Sequence, residues 1–346
     1  MSATDTINDA PALPTESWLV RARPSRIEAA IVLLIVVVLV WMGLGGTRAG
    51  GLVAPLLGGA TGEGQEVGFG LHLATGILLG GAIWANLILL RLVPFKIQVL
   101  IVWIELVLLF GLFITSFDRN LGVWFAPTRD GGTNLSYMIT TGAVTTLYVS
   151  LISIVIASVI ALAAALGKLS RSGPAYAIAT FYISFFRGTP LLLQVYLIYL
   201  GLPQIGPQFA LDAVPSGIIA LSLCYGAYLA EIFRAGIVGV AHGQHDAAKA
   251  LGFTERQTFR LIIFPQAMRL IVPPTGNQFI AMLKDSSLVS VMGVWELTRT
   301  AQIIGRRDFT VFEMLIAAAL IYWAMSICFE LIQSRLEKHY GKGHVR

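Results

Sequence analysis

Long apolar runs separated by short polar segments dominate this chain, and the runs have the length of membrane crossings. A helix needs about 20 apolar residues to cross the hydrocarbon core. On that measure the pattern predicts an all-α integral membrane protein of about eight transmembrane helices. They lie near 27–45, 71–92, 97–116, 138–166, 188–204, 216–238, 269–296 and 311–332. One apolar stretch, 174–203, is too long for a single upright crossing, and Gly188-Thr189-Pro190 interrupts it. Proline removes a backbone donor, and the residue before it avoids helical angles. The prediction is an interfacial helix over 174–187 and a short span over 188–204, which leaves Arg187 at the membrane surface. The Gly-rich stretch 46–70 and the stretch 117–135, with Arg129-Asp130-Gly131-Gly132, read as external loops. Gly76 and Gly80, and Ala157, Ala161 and Ala165, have the spacing that lets helix backbones approach closely.

Composition agrees with the pattern. Of 346 residues 56% are hydrophobic and 12% charged, against roughly 25% charged in a soluble protein. The net charge of +5 is best read through topology, not as a signal for nucleic acid. With both termini inside, Lys and Arg of the inner segments far outnumber those of the outer ones, which hold Arg48, Arg119, Arg129, Arg299, Arg306 and Arg307. The cluster Arg299, Arg306, Arg307 is the exception to that bias. Arg21, Arg23 and Arg26 precede the first run and read as the flank of an uncleaved signal anchor. Cys224 and Cys328 fall in apolar segments and read as small buried residues, neither disulfide nor metal site. No P-loop occurs, since Gly167-Lys168 has the wrong neighbours. Nor is there a credible Ser/His/Asp or Cys/His constellation. His242 and His245 are three apart but lack a third ligand, so a solvated loop face is the better reading.

The polar segment between the sixth and seventh runs carries the most information. Asp246 places an acid in the first turn of a short helix, Gly252 suits a left-handed C-cap, and Thr254 and Gln257 have capping-box spacing for a second helix. The expectation is helix, sharp Gly turn, helix, projecting from the membrane. Asp246-Ala247-Ala248, three residues, Gly252, nine residues, then Ile262-Ile263-Phe264-Pro265 resembles the cytoplasmic "EAA" loop of ABC-transporter permease subunits, with Asp246 for Glu and Phe264 for Leu. Asp keeps the charge but shortens the reach. The resemblance implies that Asp246, Ala247, Ala248, Gly252, Phe253 and Pro265 belong to the loop that couples the permease to its ATPase. A plain amphipathic connector is the rival reading of its shape. A DNA-binding helix-turn-helix lacks the third helix of its core.

Further segments are similar to one branch, the polar amino-acid permeases: Phe186-Arg187-Gly188-Thr189-Pro190, Ala227-Tyr228-Leu229-Ala230-Glu231-Ile232-Phe233-Arg234, Pro273-Pro274-x2-Asn277-Gln278, and Lys284-Asp285-Ser286-Ser287. The resemblance covers about 140–335. It implies a five-helix type I importer core over 136–335, with a coupling loop at 241–268. Accessory helices at 27–135 and cytoplasmic tails at 1–26 and 336–346 would complete the chain.

Glu231, Lys284 and Asp285 fall within spans, where charge is costly and faces a cavity or another charge. With Gln194 and Ser286 they could offer a zwitterionic substrate both signs and polar groups at mid-depth. The rival reading has Glu231 pairing with Arg234 one turn on, and Lys284 with Asp285 or a neighbouring helix. The Tyr225–Tyr228 pair could line the path or simply pack. The resemblance implies a bacterial inner-membrane importer for polar amino acids, itself no enzyme, that binds no cofactor. ATP and Mg would sit on two partner ATPases. An identical or homologous permease and an extracytoplasmic solute-binding protein would complete the assembly. The alternative is a secondary transporter driven by an ion gradient.

Overall fold

The computed structural model describes residues 26–41, 69–116, 121–128 and 131–341. The expectations for the N-terminal tail, the 46–70 loop, Arg129-Asp130 and the last five residues lie outside them. The described residues are almost entirely helical, apart from an isolated bridge between Pro127 and Thr133. The chain divides into two units, Met1–Asp118 and Arg119–Arg346.

The first unit holds α1 (Arg26–Trp41), α2 (Phe69–Leu90) and α3 (Phe95–Ser116). Gly80 sits where a Cβ would collide with Val36, so α1 and α2 approach as the small-residue spacing anticipates. Asn86 donates to both Glu105 oxygens, at 3.0 and 2.9 Å. The pair joins α2 to α3 and satisfies a carboxylate inside an apolar helix.

The second unit holds α4 (Asn134–Leu169), α5 (Gly173–Gly188), α6 (Leu191–Ile205), α7 (Ala213–Val238), α8 (His242–Ala250), α9 (Phe264–Asp285), α10 (Leu297–Arg307) and α11 (Val311–Gly341). Thr133 and Ser136 form a reciprocal capping box that starts α4. The chain breaks between α5 and α6 where the sequence required it. Thr189 is extended (φ −115, ψ 145) ahead of Pro190, and the two helices bend by 108°. Helix α4 packs most extensively on α7, and Ala157, Ala161 and Ala165 are fully buried there. Gly226 of α7 faces Ile160 and the Tyr182 hydroxyl in the same packing. Val155, Val159 and Phe181 point outward, as suits a surface whose solvent is lipid.

Four helices are long and apolar enough to cross a membrane among the described residues: His72–Leu90, Asn134–Leu169, Ala213–Val238 and Val311–Tyr340. Counting the bent pair α5–α6 as one span gives five. The expected count of eight is therefore not established. Helix α1 has 16 residues. Helix α9 has 22, about 33 Å at 1.5 Å per residue, but Arg269, Pro273, Pro274, Lys284 and Asp285 dilute its apolar character. It ends at Asp285, and the segment expected to carry the span onward to 296 is a 3₁₀ turn, Ser286–Met292, stopped by Gly293 at φ 87.

Two sets of contacts orient the unit. Helices α4 and α7 run parallel, since Ser222 donates to the Ser153 carbonyl and Lys168 pairs with Glu231 further along both. Helices α9 and α11 run antiparallel: Gln333 donates to the Pro273 carbonyl, while Phe279 stacks edge-on against Phe329. Gln266 near the start of α9 donates to Gln244 of α8 at 3.0 Å. The α8 turn and the α10–α11 turn therefore lie at opposite ends of the bundle.

Candidate functional site: a projecting turn and an intramembrane polar face

Helix α8 ends in a tightly closed turn. Phe253 N–H donates to the Ala248 carbonyl (3.1 Å) and Gly252 N–H to the Lys249 carbonyl (3.0 Å). These are the two bonds of a Schellman motif, which needs a left-handed residue at its tip. Gly252 supplies it at φ 76, with open space around it. The chain re-enters helix through Thr254: Gln257 N–H donates to Thr254 Oγ1 (3.3 Å), and Thr254 N–H to Gln257 Oε1 (2.9 Å). Helix, Gly turn and capped helix thus appear where the spacing put them.

One detail differs. Asp246 was expected in the first turn of α8, but the helix begins at His242 because Ala241 is extended (ψ 131) and already accepts from Gln244 N–H. Asp246 sits a turn further in, where the dipole's help has faded. Asp246 and Ala247 are exposed, and Ala248 is fully buried against the body of the unit. Glu255–Gln257 runs on through a wide π turn, Thr258–Ile263, into α9. Pro265 lacks the N–H of a regular turn, and the widened turn directly before it, with Phe264 N–H reaching Phe259 O, accommodates this. Among the described residues no group of three or more His, Cys, Asp or Glu side chains could hold a metal.

The five intramembrane candidates do not form one cluster. Gln194 is buried, and its amide N–H₂ faces Phe186 O (2.9 Å), Thr189 O (3.1 Å) and Thr189 Oγ1 (2.9 Å). It brackets the α5–α6 bend and gives Phe186 O the donor that Pro190 lacks. Ser286 is buried and donates to Leu283 O (2.7 Å), closing the end of α9. Glu231 joins Lys168 of α4 and Arg234 one turn on, at 2.9 Å for the latter. Lys284 and Asp285 are exposed, and Asp285 accepts from the Tyr225 hydroxyl at 2.7 Å.

What comes together is a stripe across α5, α7 and the end of α9. Arg187 lies over the Tyr228 ring, 5.4 Å from its centroid. Tyr228 adjoins Tyr225 at 6.2 Å, and Tyr225 holds Asp285. One exposed cation and one exposed carboxylate thus flank an aromatic pair. Sequence reasoning paired Tyr225 with Tyr228 but linked neither to Arg187 or Asp285, because those links run between helices.

Two features were missed outright. Lys168 as the partner of Glu231 had no local signal. Helix α10 had one: Leu297, Thr300, Ala301, Ile304 and Gly305 repeat at helical spacing and are all buried. Its start is capped by the buried Glu296 carboxylate, which accepts from Thr298 N–H (2.8 Å), Arg299 N–H (2.6 Å) and the Tyr322 hydroxyl (2.7 Å).

Residues 154–342 match the family described as binding-protein-dependent transport system inner membrane component. That is more than half of the chain, and the chain belongs to this family. The probable amino-acid permease protein YxeN of Bacillus subtilis (strain 168) is 38% identical over 198 residues, 57% of this chain and 88% of the relative. The glutamine transport system permease protein GlnP of Escherichia coli (strain K12) is 35% identical over 197 residues, 57% and 90% of the two chains. A solved amino acid ABC transporter with histidines has 40% identity and a TM-score of 0.55, covering 59% of this chain and 94% of the other. The MetNI methionine ABC transporter, at 17% identity and a TM-score of 0.52, shares the fold. The protein is thus an ABC permease subunit of the inner membrane, and the ion-gradient alternative falls away.

Proposed function

We propose that this chain is the membrane subunit of an ATP-driven importer for polar L-amino acids. The observation that carries the reading is the rigid helix–Gly252–helix turn, which has the full spacing of the coupling loop out to Pro265. Two copies of the chain, or this chain with a homologous permease, enclose the pathway. Two ATPase subunits bind ATP and Mg and grip the turns at 241–268, and the distribution of Lys and Arg supports both termini on that cytoplasmic side. A solute-binding protein delivers the amino acid from the other side. The closed turn suits the transmission of ATPase movement because its backbone is tied on both sides of Gly252, to Ala248 and Lys249 before it and by the Thr254–Gln257 cap after it. The outcome is alternating access by rigid-body rotation.

The stripe Arg187–Tyr228–Tyr225–Asp285 supports a zwitterionic cargo, with a cation for the carboxylate and a carboxylate for the ammonium group. Lys284 adds a second cation, while Gln194, Ser286 and Glu231 shape the path by holding its walls. The test is ATPase activity of the purified complex in lipid vesicles with its binding protein and a panel of amino acids. Stimulation by acidic, amide or basic amino acids is expected. Absence of a co-purifying ATPase, with uptake following an imposed ion gradient, would sink the reading.

A further inference from the structure

Helices α4, α9 and α11 border a groove of about 580 Å³ that none of the candidate site residues lines. Val155 and Val159 of α4, Val272 and Phe279 of α9, and Ile332 and Leu336 of α11 lie along it. No charged side chain does. Its polar side chains have already spent their donors. Ser158 donates to Ile154 O (2.7 Å) and Thr275 to Ile271 O (2.8 Å). The Gln333 amide donates to Pro273 O and to Glu337 (3.1 Å). A space walled this way stays dry and takes an apolar guest. An amino acid would find no counter-charge in it.

Shape narrows the guest further. Along α4 the groove runs from Leu151 to Leu162, about 16 Å at 1.5 Å per residue. Its mean cross-section is then about 35 Å². A helix with its side chains is 10–12 Å across and needs roughly 80 Å² or more. The groove therefore admits an extended hydrocarbon chain but no helix. Val155, Val159 and Ile332 are exposed, so it opens on the surface whose solvent is lipid.

The groove also has a direction. Helix α9 leaves the coupling turn at Phe264, so Phe264 and Met268 mark the near end, and Phe279 and Ile280 the far end. Leu336 of the antiparallel α11 lies at the near end. With the coupling turn in the cytoplasm, the groove enters at headgroup level and runs inward, the course of an inner-leaflet acyl chain.

That near end is basic. Arg260 precedes Phe264 by one turn, Arg269 adjoins Met268, and Arg335 adjoins Leu336. All three are exposed and form no ion pair among the described residues. The carboxylates at this end, Asp246, Glu255, Glu330 and Glu337, are outnumbered by Lys249, Arg256, Arg260, Arg269, Arg335 and Lys338. Basic residues at the cytoplasmic mouth of a groove between membrane helices suit an anionic headgroup.

We infer that this groove seats an acyl chain of an anionic phospholipid of the cytoplasmic leaflet, with Arg269 and Arg335 holding its phosphate. A seated chain lies against Phe264 and Met268, directly behind the coupling turn, and braces the root of that lever. The inference takes from the importer reading only which side is cytoplasmic.

The test uses the whole transporter in phosphatidylcholine nanodiscs. The probe is a trace of phosphatidylglycerol carrying a photoreactive diazirine in mid-chain. After photolysis, peptide mass spectrometry should find the label concentrated on 151–162, 264–280 and 329–336, and unlabelled phosphatidylglycerol should displace it. The same diazirine chain on phosphatidylcholine should label these segments about tenfold less. Arg269→Gln combined with Arg335→Gln should cut the phosphatidylglycerol signal about tenfold. These are surface changes that leave the fold intact. Ser158→Trp, which fills the groove, should abolish labelling by both probes. Even labelling of all lipid-facing helices would overturn the inference. So would equal labelling by the two probes, full labelling in the arginine pair, or a wild-type groove that takes no label because a second protein covers it. Failure of amino acids to stimulate the ATPase would sink the importer reading and leave this labelling pattern untouched.

Discussion

The turns that close α8 and α10 share the bond that spans the tip, Phe253 N–H to Ala248 O (3.1 Å) in one and Thr310 N–H to Gly305 O (2.8 Å) in the other, and differ in the residue at the tip. At 252 it is glycine, which takes φ 76 freely. At 309 it is phenylalanine, held at φ 55 at a cost of about 1–2 kcal/mol. Each carries a nearby ion pair: Lys249–Glu255 at 3.7 Å, both exposed, and Arg307–Asp308 at 2.6 Å. Arg307 also donates to Asn134 Oδ1 (3.1 Å), tying its turn to the start of α4. The coupling turn is unstrained at its tip and bears no large side chain there. The opposite turn accepts strain to present a ring. A part that transmits force benefits from a relaxed, closed backbone, as Gly252 provides.

The comparison breaks most sharply at Gly252. Gly252→Pro cannot adopt positive φ and loses the bond to Lys249 O, a cost of about 3 kcal/mol or more. Uptake should fall at least tenfold while ATP hydrolysis persists, and full-rate uptake in vesicles would remove the turn from the coupling role. Gly252→Ala meets no steric obstacle and isolates the backbone term, about 1–2 kcal/mol. It should reduce the transport-to-hydrolysis ratio partially.

Phe309→Gly should act in the opposite sense on stability. The relieved strain is partly offset by glycine's greater chain entropy, leaving a gain of about 1 kcal/mol or less. A raised melting temperature of the complex checks it, and a lowered one would mean the ring packs in the assembly. The smallest effect is expected at Asp308. The Arg307 guanidinium beside it holds its carboxyl below the usual carboxylate range. A depressed folded value means the pair contributes above about pH 4 and is lost as pH falls through the lowered value. Because both side chains are partly solvated, Asp308→Asn should cost under about 1 kcal/mol, read as a small drop in melting temperature at pH 7 that vanishes in acid.

Much of the fold was legible because its determinants are local. Pro190 splits α5 from α6 whatever surrounds it, and Thr254 with Gln257 caps its own helix. Gly80 and Ala157, Ala161 and Ala165 announce close packing by size alone. The helix–Gly252–helix shape was legible to the same depth. That turn lies within one stretch of chain, so its spacing carried its shape whole, with Asp246 misplaced by a turn because helix initiation depends on where the preceding backbone stops being extended.

The sequence by itself determined a helical membrane protein of this family, the break at Pro190, and the helix–Gly252–helix turn, because these follow from hydropathy, backbone chemistry and short-range spacing. Only the tertiary structure decided which polar residues meet. It sent Gln194 to the bend and Ser286 to the end of α9, gave Glu231 to Lys168, and set Asp285 beside Tyr225. It also put phenylalanine where the backbone calls for glycine. A buried polar group takes whichever partner packing brings within about 3 Å, and that partner can lie dozens of residues away in the sequence.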